Sequence, residues 1–326
     1  QIPGVYPLSD LTARTFASGL DTHGESDPSF LSKLNDEILS VKDLTTILEM
    51  HQEERQAVLA QLREIYDGRF DKVWGTGKEL HWQGRLGFLA GVTPVIDQHY
   101  AVMGLLGPRF VQLRLRGGDR QQVAIKAIAN SRQEEMRQEL AGATAAFVSA
   151  IPNRPPVVHE CMRPWLAQVA DLATKSRSPV VRDGWRREIE YAPEPESPAR
   201  LARQLYALLQ GVTLVCGREQ AGADDARRVA RVALDCIPAI RRSVLETLVK
   251  TESFLKTSDV SNSAQHANTT VRRALEDLHA LGLVMCRKGG EGRPDEWRLT
   301  DECRAMMAAA TTVPEISEGC PNRLSD

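Results

Sequence analysis

Asp43 follows a short apolar run, Ile38-Leu-Ser-Val41, one lysine beyond its end. A carboxylate placed there sits at the carboxyl end of a strand, where it can hold Mg²⁺ beside the phosphates of a nucleotide. An acid in that position also forms turns, so on its own it decides nothing. Thr93 ends a second apolar run, Leu86 to Val92, and Pro94 follows it. Its hydroxyl stands where open α/β sheets put their ligands, although it could equally cap the helix that comes next. Arg109-Phe110 forms a corner ahead of a third apolar run, Val111 to Leu115. Read alone, Arg109 is as well explained as a surface arginine. Arg200 falls in the first turn of a predicted helix, where a cation opposes the helix dipole and asks for a reason.

Gly75-Thr-Gly-Lys78 invites comparison with a phosphate-binding loop and fails it. The loop needs a glycine five residues before Gly77, where Lys72 stands, and a Ser or Thr after the lysine, where Glu79 stands. No other stretch fits the pattern.

The elements that must position these residues read as α/β. Strands are expected at Val5 to Leu8, Ile38 to Val41, Leu86 to Val92 and Val111 to Leu115, buried as in a parallel sheet covered by helices. One turn of helix, Leu11 to Gly19, follows the first. A long helix over Gln52 to Tyr66 carries Val58, Leu59, Leu62 and Ile65 at helical spacing and ends at Asp67-Gly68. Residues 69–83 suit a hairpin or loop, and Gln98 to Leu106 a short polar helix. Gly117-Gly118-Asp119 marks a boundary. Beyond it one helix is expected over 121–150, with Met136, Leu140, Ala143 and Phe147 in one stripe, and another around Trp165, Val169 and Leu172. Residues 176–198 read as a loop ending in Pro193-Glu-Pro-Glu-Ser-Pro198. Helices Ala199 to Gln210 and Asp224 to Cys236 complete an all-helical domain, with Asp224 as the cap of the second.

A third unit follows. Helices are expected at Ile240 to Lys250, Thr257 to Ser263 and Asn268 to Leu281, the last closed by Gly282. Leu283 to Cys286, a glycine-rich turn and Glu296 to Leu299 then make a two-stranded wing. Three helices and a β-ribbon form the winged variety of helix-turn-helix. The third helix presents Thr269, Arg272, Arg273 and Glu276, and the wing presents Arg287, Lys288 and Arg293. These cations suit DNA phosphates, and Glu276, Asp277, Glu291 and Asp295 dilute them. Winged helices also dock proteins.

Composition narrows the classes. The 41 basic and 43 acidic residues nearly cancel, so any nucleic-acid surface must be local. No apolar run approaches a membrane span and no signal peptide is visible. The six cysteines contain no CxxC pair and the seven histidines no ligand spacing, which points to reduced thiols in a cytoplasmic protein and away from a metal site built on Cys or His.

Taken together, Asp43, the helix from Gln52 to Tyr66, the strand ending at Thr93 and the Arg109-Phe110 corner resemble the AAA+ ATPase core, in the branch that contains MoxR and MCM proteins. Ser197-Pro-Ala-Arg-Leu-Ala-Arg203, Gly217-Arg218 and Asp224-Asp225 are similar to the AAA+ lid. Gly91-Val-Thr-Pro and Gly107-Pro-Arg-Phe look like ATP-binding proteins of phages and integrative elements. The resemblance covers about residues 1–236 and implies a P-loop NTPase with ATP and Mg²⁺. By it, Asp43 is the Walker B acid that orients Mg²⁺, Thr93 the sensor-one residue, Arg109 the arginine finger and Arg200 the sensor-two arginine. A finger acting between subunits implies a ring or filament. Three departures stand: Leu44 follows Asp43 where a catalytic glutamate is common, sensor one is Thr rather than Asn, and the Walker A loop is absent. In the family's order that loop precedes the first strand, so a chain beginning at Gln1 is expected to be a fragment. The expected divisions are a partial AAA+ core (1–118), a lid (119–236), a winged helix (237–310) and a disordered tail (311–326). The expected function is a DNA-associated ATPase of the helicase, helicase-loader or transposition type. The alternative is a non-enzymatic winged-helix DNA-binding or adaptor protein on a degenerate ATPase scaffold.

Overall fold

The computed structural model describes residues 4–17, 29–75, 77–99, 109–115, 117–290 and 293–314. They form two compact units, one of residues 1–109 and 120–150, the other of residues 110–119 and 151–326. The protein is mixed α/β.

The first unit holds a three-stranded parallel sheet. Strands β1 (Val5–Leu8), β2 (Ile38–Val41) and β5 (Gly87–Ala90) pair in the order β1-β2-β5, with Ile38 opposite both Val5 and Gly87. Between β2 and β5 lie helices α1 (Thr45–Leu48) and α2 (Gln52–Tyr66) and an antiparallel hairpin of β3 (Arg69–Val73) and β4 (Glu79–Gln83). Parallel neighbours need such a crossover between them. Leu39 and Val41 of β2, Ile47 and Leu48 of α1, and Val58, Leu59, Leu62 and Ile65 of α2 are buried. Gly68 takes φ +85° to turn α2 into β3, a left-handed conformation that favours glycine. Glycine is also required at 84, where a Cβ would come within 2.6 Å of the Trp82 ring.

Several expectations need correction here. The strand expected at 86–92 is shorter, Gly87–Ala90, and is half-buried at the sheet edge, with Leu89 63% exposed. Val111 to Leu115 forms no strand. Its alternate N–H groups go elsewhere: Gln112 donates to Cys236 Sγ at 3.3 Å and Arg114 to the Asp235 carboxylate at 2.9 Å. Leu11 to Ala17 makes turns rather than helix, and the polar helix expected over 98–106 lies almost wholly outside the described residues. The single helix expected over 121–150 is two, α3 (Arg120–Ala129) and α4 (Gln133–Ala150). Asn130 breaks it: its side chain accepts the Arg132 N–H at 3.0 Å, a turn that competes with helix. Neither helix buries a residue, and Met136, Leu140 and Phe147 are exposed.

The second unit is built on one core. After α5 (Met162–Arg177) comes a short hairpin, β6 (Val181–Arg182) and β7 (Ile189–Tyr191), so this region is not all-helical. Helices α6 (Ala199–Val215) and α7 (Ala223–Asp235) follow. Asp225, not Asp224, caps α7: its buried carboxylate accepts the Gly222 N–H at 3.0 Å. Next come α8 (Ala239–Leu248), β8 (Leu255–Lys256), α9 (Thr257–Ala264), α10 (Asn268–Ala280), β9 (Val284–Arg287), β10 (Glu296–Leu299) and α11 (Asp301–Thr311). A three-residue turn with Gln265 at φ +56° joins α9 to α10. Gly282 at φ +73° ends α10, its N–H bonded to His279 O and that of Leu283 to Leu278 O, which satisfies the last carbonyls of the helix. The ribbon strands order β8-β10-β9. Met162, Trp165, Leu205, Val229, Leu245, Leu275, Trp297 and Met307 belong to a single buried cluster, so residue 236 falls inside a packed unit. Helix α11 extends order through Thr311, and residues 315–326 lie outside the described residues. Among the described residues no helix is long and apolar enough to cross a membrane.

Candidate functional site

In the first unit, the ladder between β2 and β5 runs past the strands. Gly91 donates to Val41 O at 3.1 Å and Leu44 donates to Gly91 O at 2.7 Å. A Cβ on Gly91 would lie 2.7 Å from Lys42 O, so only glycine lets the two chains close at this end. That closure brings Asp43 and Thr93 together through Thr45. The Asp43 carboxylate accepts the Thr45 N–H at 2.8 Å, and the Thr45 hydroxyl lies 3.2 Å from the Thr93 hydroxyl. The Thr93 N–H also points to Thr45 Oγ1 at 3.3 Å. The Thr45 hydroxyl and backbone N–H hold the Asp43 carboxyl below its ordinary pKa, as hydrogen bonds to the charged form do. One half-buried carboxylate and two hydroxyls thus open at the carboxyl ends of adjacent parallel strands. Hard oxygen donors of this kind fit Mg²⁺, which takes one or two carboxylates and keeps several waters. Among the described residues no group of three or more His, Cys, Asp or Glu side chains gathers as a metal site.

Arg109 is in the same unit, but its guanidinium is engaged. Nη2 lies 2.7 Å and Nε 3.2 Å from the two Asp67 oxygens, and the side chain is only 11% exposed. It also faces the Tyr66 ring at 6.0 Å. Arg200 belongs to the second unit, in the first turn of α6, with Nη1 3.6 Å from Glu196. That neighbour supplies the negative charge its position on the helix dipole calls for.

The DNA-contact candidates are all in the second unit. Thr269, Arg272 and Arg273 are exposed on the first half of α10. Arg272 pairs with Glu276 at 3.0 Å. On the ribbon, Arg287 lies 3.4 Å from Glu296 and stacks on Phe254 at 4.1 Å, and Lys288 lies 3.2 Å from Asp295. Arg293 is exposed beside the tight turn, where a Cβ on Gly289 would meet Arg293 O at 2.2 Å.

Sequence reasoning miscounted the acids of α10. Asp277 is buried, not solvated: Arg241, itself 1% exposed, reaches it at 3.0 Å and Arg182 at 2.7 Å. Arg241 also donates to the Ser176 and Ser178 carbonyls. Glu276 is shared by Arg182 and Arg272. These acids therefore fasten α10 to the body of the unit. Thr45 was also missed, though Asp-x-Thr directly after a strand was a readable signal. No protein-family model matches the sequence, and no curated protein is detectably similar to it.

Proposed function

We propose that this protein is a DNA-associated component of an AAA+-type ATPase. In this reading the second unit engages DNA through a winged helix, and the first presents the acid and hydroxyl side of an ATP–Mg²⁺ site. The observation that carries it is the convergence of Asp43, Thr45 and Thr93 at one end of a parallel sheet, where β2 and β5 lie side by side. Bound Mg²⁺ would neutralise charge on the phosphates. Asp43 would hold the ion, and Thr93 would donate to a phosphate oxygen or orient water. The arrangement of α8, α9 and α10 with the β8-β10-β9 ribbon supports the DNA half, since it leaves Thr269, Arg272 and Arg273 on an open helix and Arg287, Lys288 and Arg293 on a ribbon beside it. Assembly into a ring or filament follows if Arg109 exchanges Asp67 for a neighbouring subunit's phosphate.

A non-enzymatic DNA-binding adaptor is the second reading. Two observations favour it: Leu44 stands directly after Asp43, and Arg109 is already held by Asp67. Calorimetric titration of the full-length protein with ATP, with and without Mg²⁺, separates the two. The ATPase reading expects Mg²⁺-dependent binding that Asp43→Asn weakens by roughly tenfold or more, the scale of one lost charged contact. No nucleotide binding, or binding indifferent to Asp43, leaves the adaptor. In parallel, Arg272→Ala with Arg273→Ala should weaken duplex DNA binding in a mobility shift while leaving ATP binding unchanged.

A further inference from the structure

The β6–β7 hairpin of the second unit has no place in the scheme above, and its tip is unusual. Trp185 is 92% exposed, leaving nearly its whole indole open to a partner. Arg186 and Arg187 follow it directly, both exposed, and among the described residues neither guanidinium makes a salt bridge.

The tip is held rather than loose. The Asp183 carboxylate accepts three backbone N–H groups, from Trp185 at 2.8 Å, Arg186 at 2.6 Å and Glu188 at 2.8 Å. Asp183 N–H closes the turn on Glu188 O at 3.0 Å. Arg187 takes φ +61°, a conformation uncommon for a residue with a side chain, and its carbonyl accepts Arg182 Nη1 at 2.6 Å. Arg182 roots the hairpin on α10. Its guanidinium donates to Asp277 at 2.7 Å, to Glu276 at 3.1 Å and to the Arg273 carbonyl at 3.1 Å. Arg273 is the same residue whose side chain faces outward for DNA. The hairpin and the basic half of α10 are therefore one mechanical piece.

We propose that Trp185 is a base-stacking contact for unpaired nucleotides of DNA, with Arg186 and Arg187 on the flanking phosphates. This rests on the DNA-binding reading of α10 and gives it a substrate class: duplex carrying a single-stranded arm or an opened base. The chemistry selects this ligand over an apolar protein surface. An exposed indole followed by two exposed guanidiniums, of which only that of Arg187 feels the Asp183 carboxylate, matches a ligand that alternates flat π faces with negative charges. A rigid turn loses little further freedom when a base stacks on it.

The test is fluorescence anisotropy of labelled DNA with the full-length protein, comparing blunt duplex with a forked duplex of the same sequence. Trp185→Ala should lower affinity for the fork by roughly 5- to 100-fold, as expected for the loss of one stacked base, and change blunt-duplex affinity less than about twofold. Trp185→Phe should keep most of the fork preference. Paired Arg186→Ala and Arg187→Ala should weaken fork binding and flatten its salt dependence. Because Trp185 is exposed, its replacement leaves the core intact. If Trp185→Ala leaves fork binding unchanged while Arg272→Ala with Arg273→Ala weakens the duplex, the hairpin proposal falls and the DNA reading survives. If the wild-type protein binds neither DNA, both fall, and the exposed indole belongs to a protein partner.

Discussion

Arg241 is the most deeply buried cation of the second unit among the described residues. It is a full charge at 1% exposure held by three oxygens: the Ser176 and Ser178 carbonyls and one oxygen of the Asp277 carboxylate, whose other oxygen takes Arg182. Removing one partner of a buried pair leaves the other uncompensated. Arg241→Ala is therefore expected to destabilise the unit by ~3–5 kcal/mol in denaturant unfolding, whereas Arg200→Ala, which loses only a half-exposed pair with Glu196, should fall within about 1 kcal/mol of the wild type. A denaturant midpoint unchanged by Arg241→Ala would mean that the buried charges are not coupled as their distances imply. None of this was legible in the sequence. Arg182, Arg241 and Asp277 are 36 to 95 positions apart in their contacts, and nothing about an isolated Asp on a helix says whether it faces water or an arginine. Asp43 and Thr93 are different. Each ends an apolar run with a polar residue, and that local signature placed both at the carboxyl ends of neighbouring strands.

At the scale of elements, legibility follows the length of the pattern. The strand at Val5–Leu8, the helix at Gln52–Tyr66 and the strand at Glu296–Leu299 lie where apolar periodicity and punctuation put them. The β6–β7 hairpin escaped because strands of two and three residues carry no period. Helix α4 shows the converse. Met136, Leu140 and Phe147 have a core-facing spacing, yet among the described residues all three stay exposed. Periodicity reports that a face exists, not that it is buried. The hairpin also carries a pH dependence. Its three backbone donors, that of Arg186 foremost, lower the pKa of Asp183. A lowered carboxylate contributes stability that is fully present above the unfolded pKa of about 3.9 and is lost as pH falls through the folded value. Amide exchange at Trp185, Arg186 and Glu188 should thus stay slow at neutral pH relative to an Asp183→Ala variant, and that difference should vanish in acid. Equal exchange in the two proteins at pH 7 would show that Asp183 does not hold the tip.

For the whole molecule, charge decides what the proposed DNA binding would look like. The net charge is −2, so under that proposal attraction to phosphate would come from the local set Arg272, Arg273, Arg287, Lys288 and Arg293. Three of these already face Glu276, Glu296 and Asp295, and releasing them from those carboxylates offsets part of the gain. With a slope of about −0.9 per neutralised phosphate, log affinity for blunt duplex against log salt should fall between roughly −2, if only Arg273 and Arg293 engage, and −4.5, if all five do. A slope near zero would remove this face as the contact, and one much steeper would require cations beyond it. The division into two units also bears on chain connectivity. Arg114 is anchored to the end of α7, donating to the Asp235 and Ile237 carbonyls and the Asp235 carboxylate. Residues 111–115, expected as a strand of the sheet, thus belong to the second unit.

The same hairpin gives the molecule an optical asymmetry. Of its five tryptophans, Trp82, Trp165 and Trp297 are buried, with each indole N–H donated to an oxygen inside the protein, and Trp74 is half-covered on its own hairpin. Only the fifth meets solvent on nearly its whole surface. Collisional quenchers such as acrylamide or iodide should therefore act most on Trp185, and the red edge of the native emission is expected to come chiefly from it.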